Sequence, residues 1–289
     1  MHMSDSNNSN SVYTPRRNRR FNKALLNSLP NNFKLDNNIT IPWTERQLEL
    51  IDKLTRKRSY DIEGKPIPVT CAFISGVAGT SKTTIAVYSA LRLLFEGKVS
   101  QILYVRSAVD SSPNKLGYLK GGLEEKLGVY QTPLDDKLNE LLPRAVVNVL
   151  MENEYVKMES TCFLRGRNLA DCVVIVDESQ NLQHEELVTI ISRMAEHSRI
   201  WFCYDEKQSD LSTKHKTDMQ NFADIFNTEE CVQHGFHHHH FDHTDIVRSR
   251  FCRFVMDKIE EWEDSKVREQ EEYEKRRKIV LNEVTVSYD

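Results

Sequence analysis

The sequence predicts an α/β protein whose mainly parallel sheet is sandwiched by helices. Three observations carry this expectation. Apolar runs at 67–75, 101–106, 172–177 and 199–204 are short enough to be strands. Between them, residues 82–96, 134–153 and 184–196 space their apolar side chains as helices do. The run Cys-Val-Val-Ile-Val-Asp at 172–177 does not alternate, as expected of a strand buried on both faces. Strand–helix alternation of this kind implies parallel strands joined by crossover helices.

Bulk properties narrow the class. A chain of 289 residues can bury a substantial core in one or two domains. Its 39% hydrophobic and 28% charged residues are those of an ordinary globular protein. With 39 basic and 43 acidic residues the net charge is −4, which argues against coating nucleic acid over the whole surface. A local basic groove or pore stays open. Cys71, Cys162, Cys172, Cys203, Cys231 and Cys252 form no C-x-x-C pair and read as reduced, buried thiols rather than a disulfide or zinc framework. No run approaches the ~18 apolar residues of a membrane span, and the N-terminus has no charged-then-apolar signal pattern. The expected location is the cytoplasm, with no membrane partner.

Residues 1–38 read as a flexible polar and basic N-terminal tail, with Arg16, Arg17, Arg19, Arg20 and Lys23 clustered. The cluster either touches phosphates or only aids solubility. Thr44 followed by Gln47 forms a capping box that opens a helix carrying Leu48, Leu50, Ile51 and Leu54. One domain is expected over 39–257. The charged segment 258–289, with Trp262 and Tyr273, suits an exposed helix, either solvated or packed on a neighbouring subunit.

The chemistry concentrates at two places. Residues 76–83, Gly-Val-Ala-Gly-Thr-Ser-Lys-Thr, match the phosphate-loop pattern G-x-x-x-x-G-K-[ST] apart from Ser81 in place of the second glycine. Amides of Gly76, Val77, Ala78, Gly79, Thr80 and Ser81, with Thr84 at the helix start, point positive partial charge at phosphates. Lys82 is expected on the β- and γ-phosphates, and Thr83 on Mg²⁺. If the backbone at 81 is left-handed, the serine costs about 1–2 kcal/mol, and if it is helical, nothing. At the end of a buried strand, Asp177 is expected to hold Mg²⁺, and Glu178 to orient and deprotonate an attacking water. Gln208, beyond the run 201–204 and beside Asp205, is the candidate sensor of the γ-phosphate. Together these residues imply ATP and Mg²⁺ as ligands.

The sequence resembles the PhoH family of ATPases over about residues 44–255. The resemblance rests on the phosphate loop and on five further stretches: Val105–Ala108 with Lys115–Leu119 and Gly122–Lys126, Phe163–Leu169, Val176–Asn181, Tyr204–Leu211, and Asp245-Ile246-Val247-Arg248-Ser249. It implies a RecA-like P-loop NTPase core, a homo-oligomeric ring with six subunits, and coupling to RNA or single-stranded DNA in a helicase-like manner. It also implies that Gln47 reads the adenine edge. Arg165, Arg167 and Arg248 stand where the family carries arginines near phosphates or the subunit interface, with Arg248 the first choice for a finger acting across the ring. Ser81, Ser107 and Tyr204 depart from the family pattern, and so does the histidine-rich segment 234–243. The short, diverged form resembles copies carried by bacteriophages. The rival reading is a nucleotide-gated assembly protein with little turnover.

His237 to His240 are expected on an exposed or oligomer-facing strand that splits them two to each face, against a metal site. They are expected to gain charge below about pH 6.5.

Overall fold

The computed structural model describes residues 24–30, 33–38, 40–56, 59–106, 133–164, 166–205, 219–247 and most of 251–273. Its centre is a six-stranded, all-parallel sheet in the order β5-β4-β6-β7-β3-β8. The strands are β3 (Cys71–Gly76), β4 (Gln101–Arg106), β5 (Val156–Ser160), β6 (Cys172–Asp177), β7 (Arg199–Tyr204) and β8 (Phe236–Phe241). A small hairpin of β1 (Ser59–Tyr60) and β2 (Pro66–Ile67) precedes them. The expected strand over 67–75 therefore divides: Ile67 belongs to the hairpin, Pro68 intervenes, and the sheet strand begins at Cys71.

Alternate strand residues feed two cores. Ala72, Ile74, Tyr104, Val173, Ile175 and Trp201 pack against one layer of helices. That layer holds α1 (24–28), α2 (Glu45–Thr55), α3 (Lys82–Phe95), α4 (133–141) and α5 (Arg144–Glu152). Phe73, Val105, Val174, Val176 and Phe202 pack against α6 (His184–Ile191) and α7 (Met219–Asp224) on the other side. A short helix, α8 (Glu229–Gln233), leads into β8. The fold is the α/β sandwich that the sequence predicts.

Boundaries differ where local chemistry intervenes. The helix expected over 134–153 is two helices, broken because Pro143 stands at the N-cap of α5 with ψ 141°. The helix expected over 184–196 stops at Ile191, after which Ala195 donates its N–H to the Leu169 carbonyl at 2.9 Å. Within the expected tail, residues 24–38 include core: Leu25 is fully buried, Phe33 meets Phe95 edge-on, and Tyr88 donates to Asp36 at 2.8 Å. That corrects the tail's boundary, because Leu25 and Leu29 stand one helical turn apart and reach the same face. Among the described residues, no helix is long and apolar enough to cross a membrane. Cys71, Cys172 and Cys203 are free and buried.

The histidine run forms β8, which stands at the end of the sheet order and pairs with β3. His238 stacks on Phe73 at 5.0 Å and His240 Nδ1 lies 2.9 Å from Ser75 Oγ. His237 and His239 lie on the opposite face with Phe241, their Nε2 atoms buried without a hydrogen-bond partner among the described residues. No group of three or more metal-ligating side chains is assembled among the described residues. Burial is the main cause that pulls the His237 and His239 pKa values down to about 4, with neighbouring cations assisting. The expected charging below pH 6.5 is thereby corrected for this pair. Their neighbours are Lys53, Glu49, His238, Arg46, Asp245 and His240. A histidine whose pKa falls on folding takes its proton more readily when unfolded. Stability is therefore expected to drop as pH falls from about 6.5 towards 4. Urea midpoints measured across that window should decline in the natural chain, and more shallowly in a His237→Gln, His239→Gln variant.

Candidate nucleotide site

In a parallel sheet the carboxyl ends of the strands share one edge, where ligands bind. Here that edge carries Gly76, Arg106, Asp177 and Tyr204. A cavity of about 530 Å³ opens beside it, lined also by the segment 40–42 and by Pro133, Lys137 and Glu140 of α4.

The loop 76–81 lines the cavity and is shaped by its glycines. At Gly76, φ is 143° and a Cβ would stand 2.5 Å from the Phe241 carbonyl oxygen, so β8 approaches too closely for any side chain. Gly79 also has positive φ, at 93°. Ser81 is left-handed, with φ 63° and ψ 24°, which settles the alternative left open by the sequence in favour of strain. As N-cap of α3 it makes no capping hydrogen bond, leaving the first-turn amides free to face an anion. Thr80 is buried behind the loop, and its hydroxyl donates to the Val77 carbonyl at 2.9 Å.

Lys82 Nζ donates to the carbonyl oxygens of Gly76 at 2.5 Å and Val77 at 3.0 Å. Burial lowers the pKa of this ammonium, opposed by Asp205, Glu178 and Asp177 nearby. At the second residue of α3, Thr83 Oγ1 donates to Asp177 Oδ1 at 2.6 Å. The other carboxylate oxygen accepts from the hydroxyl of Tyr104, a fully buried side chain on β4. Burial and the adjacent carboxylate push the Tyr104 pKa far up, so it stays a donor. Glu178 follows in a left-handed conformation, φ 50°, and burial then Asp177 raise its pKa. Gln180 donates to Glu178 Oε2 at 2.7 Å and accepts from the Asp205 amide at 3.1 Å, joining the ends of β6 and β7.

A strand, a glycine loop with lysine and threonine, and an acidic strand end thus converge as in a P-loop NTPase. The model of the family described as PhoH-like protein matches residues 41–260. The chain belongs to the PhoH-like family. Curated PhoH-like proteins are similar to it: one from Mycobacterium leprae, 29% identical over 68% of this chain and 54% of its own length. Another, from Synechocystis, is 29% identical over 74% of this chain and 63% of its own. A third, from Bacillus subtilis, is 32% identical over 60% and 53%. The chain thus spans between half and two thirds of the length of these relatives. Among solved structures, the large terminase of a thermophilic bacteriophage aligns at TM-score 0.43 and 12% identity, covering 72% of this chain and 48% of that one, and the assignment does not rest on it.

In this PhoH-like chain Lys82, Thr83, Thr84, Ala78, Gly79, Ser81, Asp177 and Glu178 all line the one cavity. Other expected residues lie elsewhere. Gln47 is fully buried behind the loop and bonded to main chain, not facing the cavity as a reader of adenine would. Arg167 pairs with Glu159 of β5 at 2.6 Å. Four strand spacings separate β5 from β3, roughly 19 Å, so Arg167 is remote from this chain's own phosphate loop. Arg165, Gln208 and Arg248 fall outside the described residues. Tyr104, Gln180 and Arg106 carry parts of the site that the sequence reading did not assign. A tyrosine inside an apolar strand reads as core, and only its parallel register beside the acidic strand end could have pointed to it.

Hydroxyl and carboxylate oxygens suit a hard cation, and the pairing of Thr83 with Asp177 brings two such ligands together, so the residues fit Mg²⁺. Two outcomes are expected. Ser81→Gly relieves the left-handed strain at the cost of unfolded-chain entropy, and should raise stability in urea by up to about 1 kcal/mol. Tyr104→Phe strips a buried carboxylate of its donor. It should cost about 1–3 kcal/mol. It should also raise the Mg²⁺ concentration for half-maximal nucleotide binding by roughly tenfold, as read by magnesium titration with a fluorescent nucleotide.

Proposed function

We propose that this PhoH-like protein is a Mg-dependent ATPase of the cytoplasm, working as a six-membered homo-oligomeric ring on RNA or single-stranded nucleic acid. The observation that carries the ATPase reading is the meeting of Lys82, Thr83, Asp177 and Glu178 at one cavity.

Each group has a distinct task. The loop amides and the N-terminus of α3 bind the phosphates, and Lys82 swings from the loop carbonyls to the β- and γ-oxygens. Thr83 and Asp177 hold Mg²⁺, which when bound neutralises charge on the transferring phosphoryl group. Glu178 orients water and takes its proton. A raised pKa makes its carboxylate a stronger base than an exposed glutamate's, and Gln180 fixes one oxygen so that the other faces the water. Arg106 and Lys137 bring further positive charge to the cavity.

The ring and nucleic-acid parts of the proposal rest on the resemblance. In that arrangement Arg248 is the finger reaching a neighbour's phosphates, and Arg165 and Arg167 serve the subunit boundary. Placement of Arg167 beside edge strand β5 suits such a boundary. A second reading, a nucleotide-gated scaffold with little turnover, is favoured by the strain at Ser81.

Phosphate release from Mg-ATP separates the two. Lys82→Ala is expected to lose nucleotide binding. Glu178→Gln should keep it while turnover falls by about 100-fold or more. Single-stranded RNA should raise the natural chain's rate at low salt. A natural rate no higher than that of Glu178→Gln would leave the scaffold reading standing.

A further inference from the structure

The side-chain amide of Gln47 is spent on the protein itself. A glutamine amide has two N–H donors and one carbonyl acceptor. Nε2 donates to the Thr80 carbonyl at 3.1 Å and to the Asp245 carbonyl at 3.0 Å. Oε1 accepts the Thr44 N–H at 3.0 Å, closing the capping box of α2. The side chain has no exposed surface. Reading a base edge would require the amide to leave two main-chain carbonyls without their donors in a buried site, which is costly.

The element that holds Gln47 is itself fixed. Arg46 pairs with Asp242 at 2.6 Å and Asp245 at 2.9 Å, and Thr44 Oγ1 donates to Asp245 Oδ1 at 3.1 Å. Thr80 lies in the phosphate loop, whereas Asp245 lies in the turn that runs on to Val247 at the cavity wall. One amide thus ties the floor of the loop to the turn that follows β8.

We infer that Gln47 is a positioning residue that clamps the phosphate loop to the 242–247 turn, and that it takes no part in choosing the base. This rests on the nucleotide-site reading above. Gln47→Met keeps the length of the side chain and removes its polar atoms. Calorimetric titration with Mg-ATP and Mg-GTP should show both affinities falling by the same factor, about 5- to 30-fold. The ATP-to-GTP ratio should keep its natural value. A ratio that collapses while GTP binding is unchanged would overturn the inference and make Gln47 a base reader. Hydrogen exchange without nucleotide supplies a readout independent of the site's function. Protection should fall together in 77–81 and 242–247 in Gln47→Met, and protection unchanged in either segment would overturn the clamp even if no nucleotide bound. Should Gln47→Met not fold, the natural chain still decides. N6,N6-dimethyl-ATP, whose base edge cannot pair with a glutamine amide, should bind as tightly as ATP. A loss of about tenfold, the scale of one bidentate base contact, would overturn the inference.

Discussion

The close approach of β8 to the end of β3 governs the site. At Gly76 the two strands leave no space for a Cβ, because the Phe241 carbonyl and Cβ stand 2.5 and 2.8 Å from where it would lie. The phosphate loop therefore departs from a point fixed by its neighbour strand. Immediately beyond Phe241 the chain turns through Asp242 to Asp245, and those carboxylates hold the N-terminus of α2 through Arg46 and Thr44. Asp245 is 2% exposed, yet its oxygens accept from Thr44, Arg46 and the Asp242 amide, so the buried charge is paired. Gln47 returns from α2 to Thr80. The loop is thus held at its first residue by the β3–β8 pairing and near its last by a hydrogen bond.

A second network sits beside the loop, at the end of β6. Parallel register sets Arg106 beside Asp177 and Tyr104 two residues back, within reach of the same carboxylate. Thr83, Asp177 and Tyr104 form one chain of contacts, and Glu178, Gln180 and Asp205 the next. Hydrogen bonds to charged groups in a buried setting are worth more than neutral ones. Among the described residues, the two networks meet at the loop and the start of α3, through Thr80 and Thr83.

Much of this was legible in the sequence, for identifiable reasons. β4, β6 and β7 match the apolar runs at 101–106, 172–177 and 199–204, because strands buried on both faces leave uninterrupted signals. The capping box at Thr44 and Gln47 was readable because its chemistry is local. What depended on distant pairing was not. Polar β5, Val-Lys-Met-Glu-Ser, is an edge strand with only its first residue fully buried, so it carries no apolar run. The break at Pro143 was present in the sequence, but the leucine and valine spacing on either side masked it. Within the site, the loop and the acidic pair announce themselves by spacing. Tyr104, Gln180 and the engagement of Gln47 follow from strand register and from contacts across as many as 198 residues. Spacing along the chain holds no trace of those.

Backbone strain gives a further reason to place the chemistry at this edge. Among the described residues, five other than glycine have positive φ: Ser81, Glu154, Asp171, Glu178 and His197. Only Ser81 and Glu178 of these line the cavity, one at the start of α3 and the other just beyond β6. A left-handed serine costs about 1–2 kcal/mol and persists only where its surroundings over-determine the backbone. Here they do, since Gly76 is paired with Phe241 in the β3–β8 ladder and Thr80 is tied to Gln47. Ser81 supplies no capping side chain to the α3 amides, while Lys82 Nζ is bonded to the carbonyls of Gly76 and Val77. At Glu178 the left-handed turn carries the chain off β6 while Gln180 holds the carboxyl in place. Both left-handed residues thus stand at the carboxyl edge of the sheet, in the wall of one cavity.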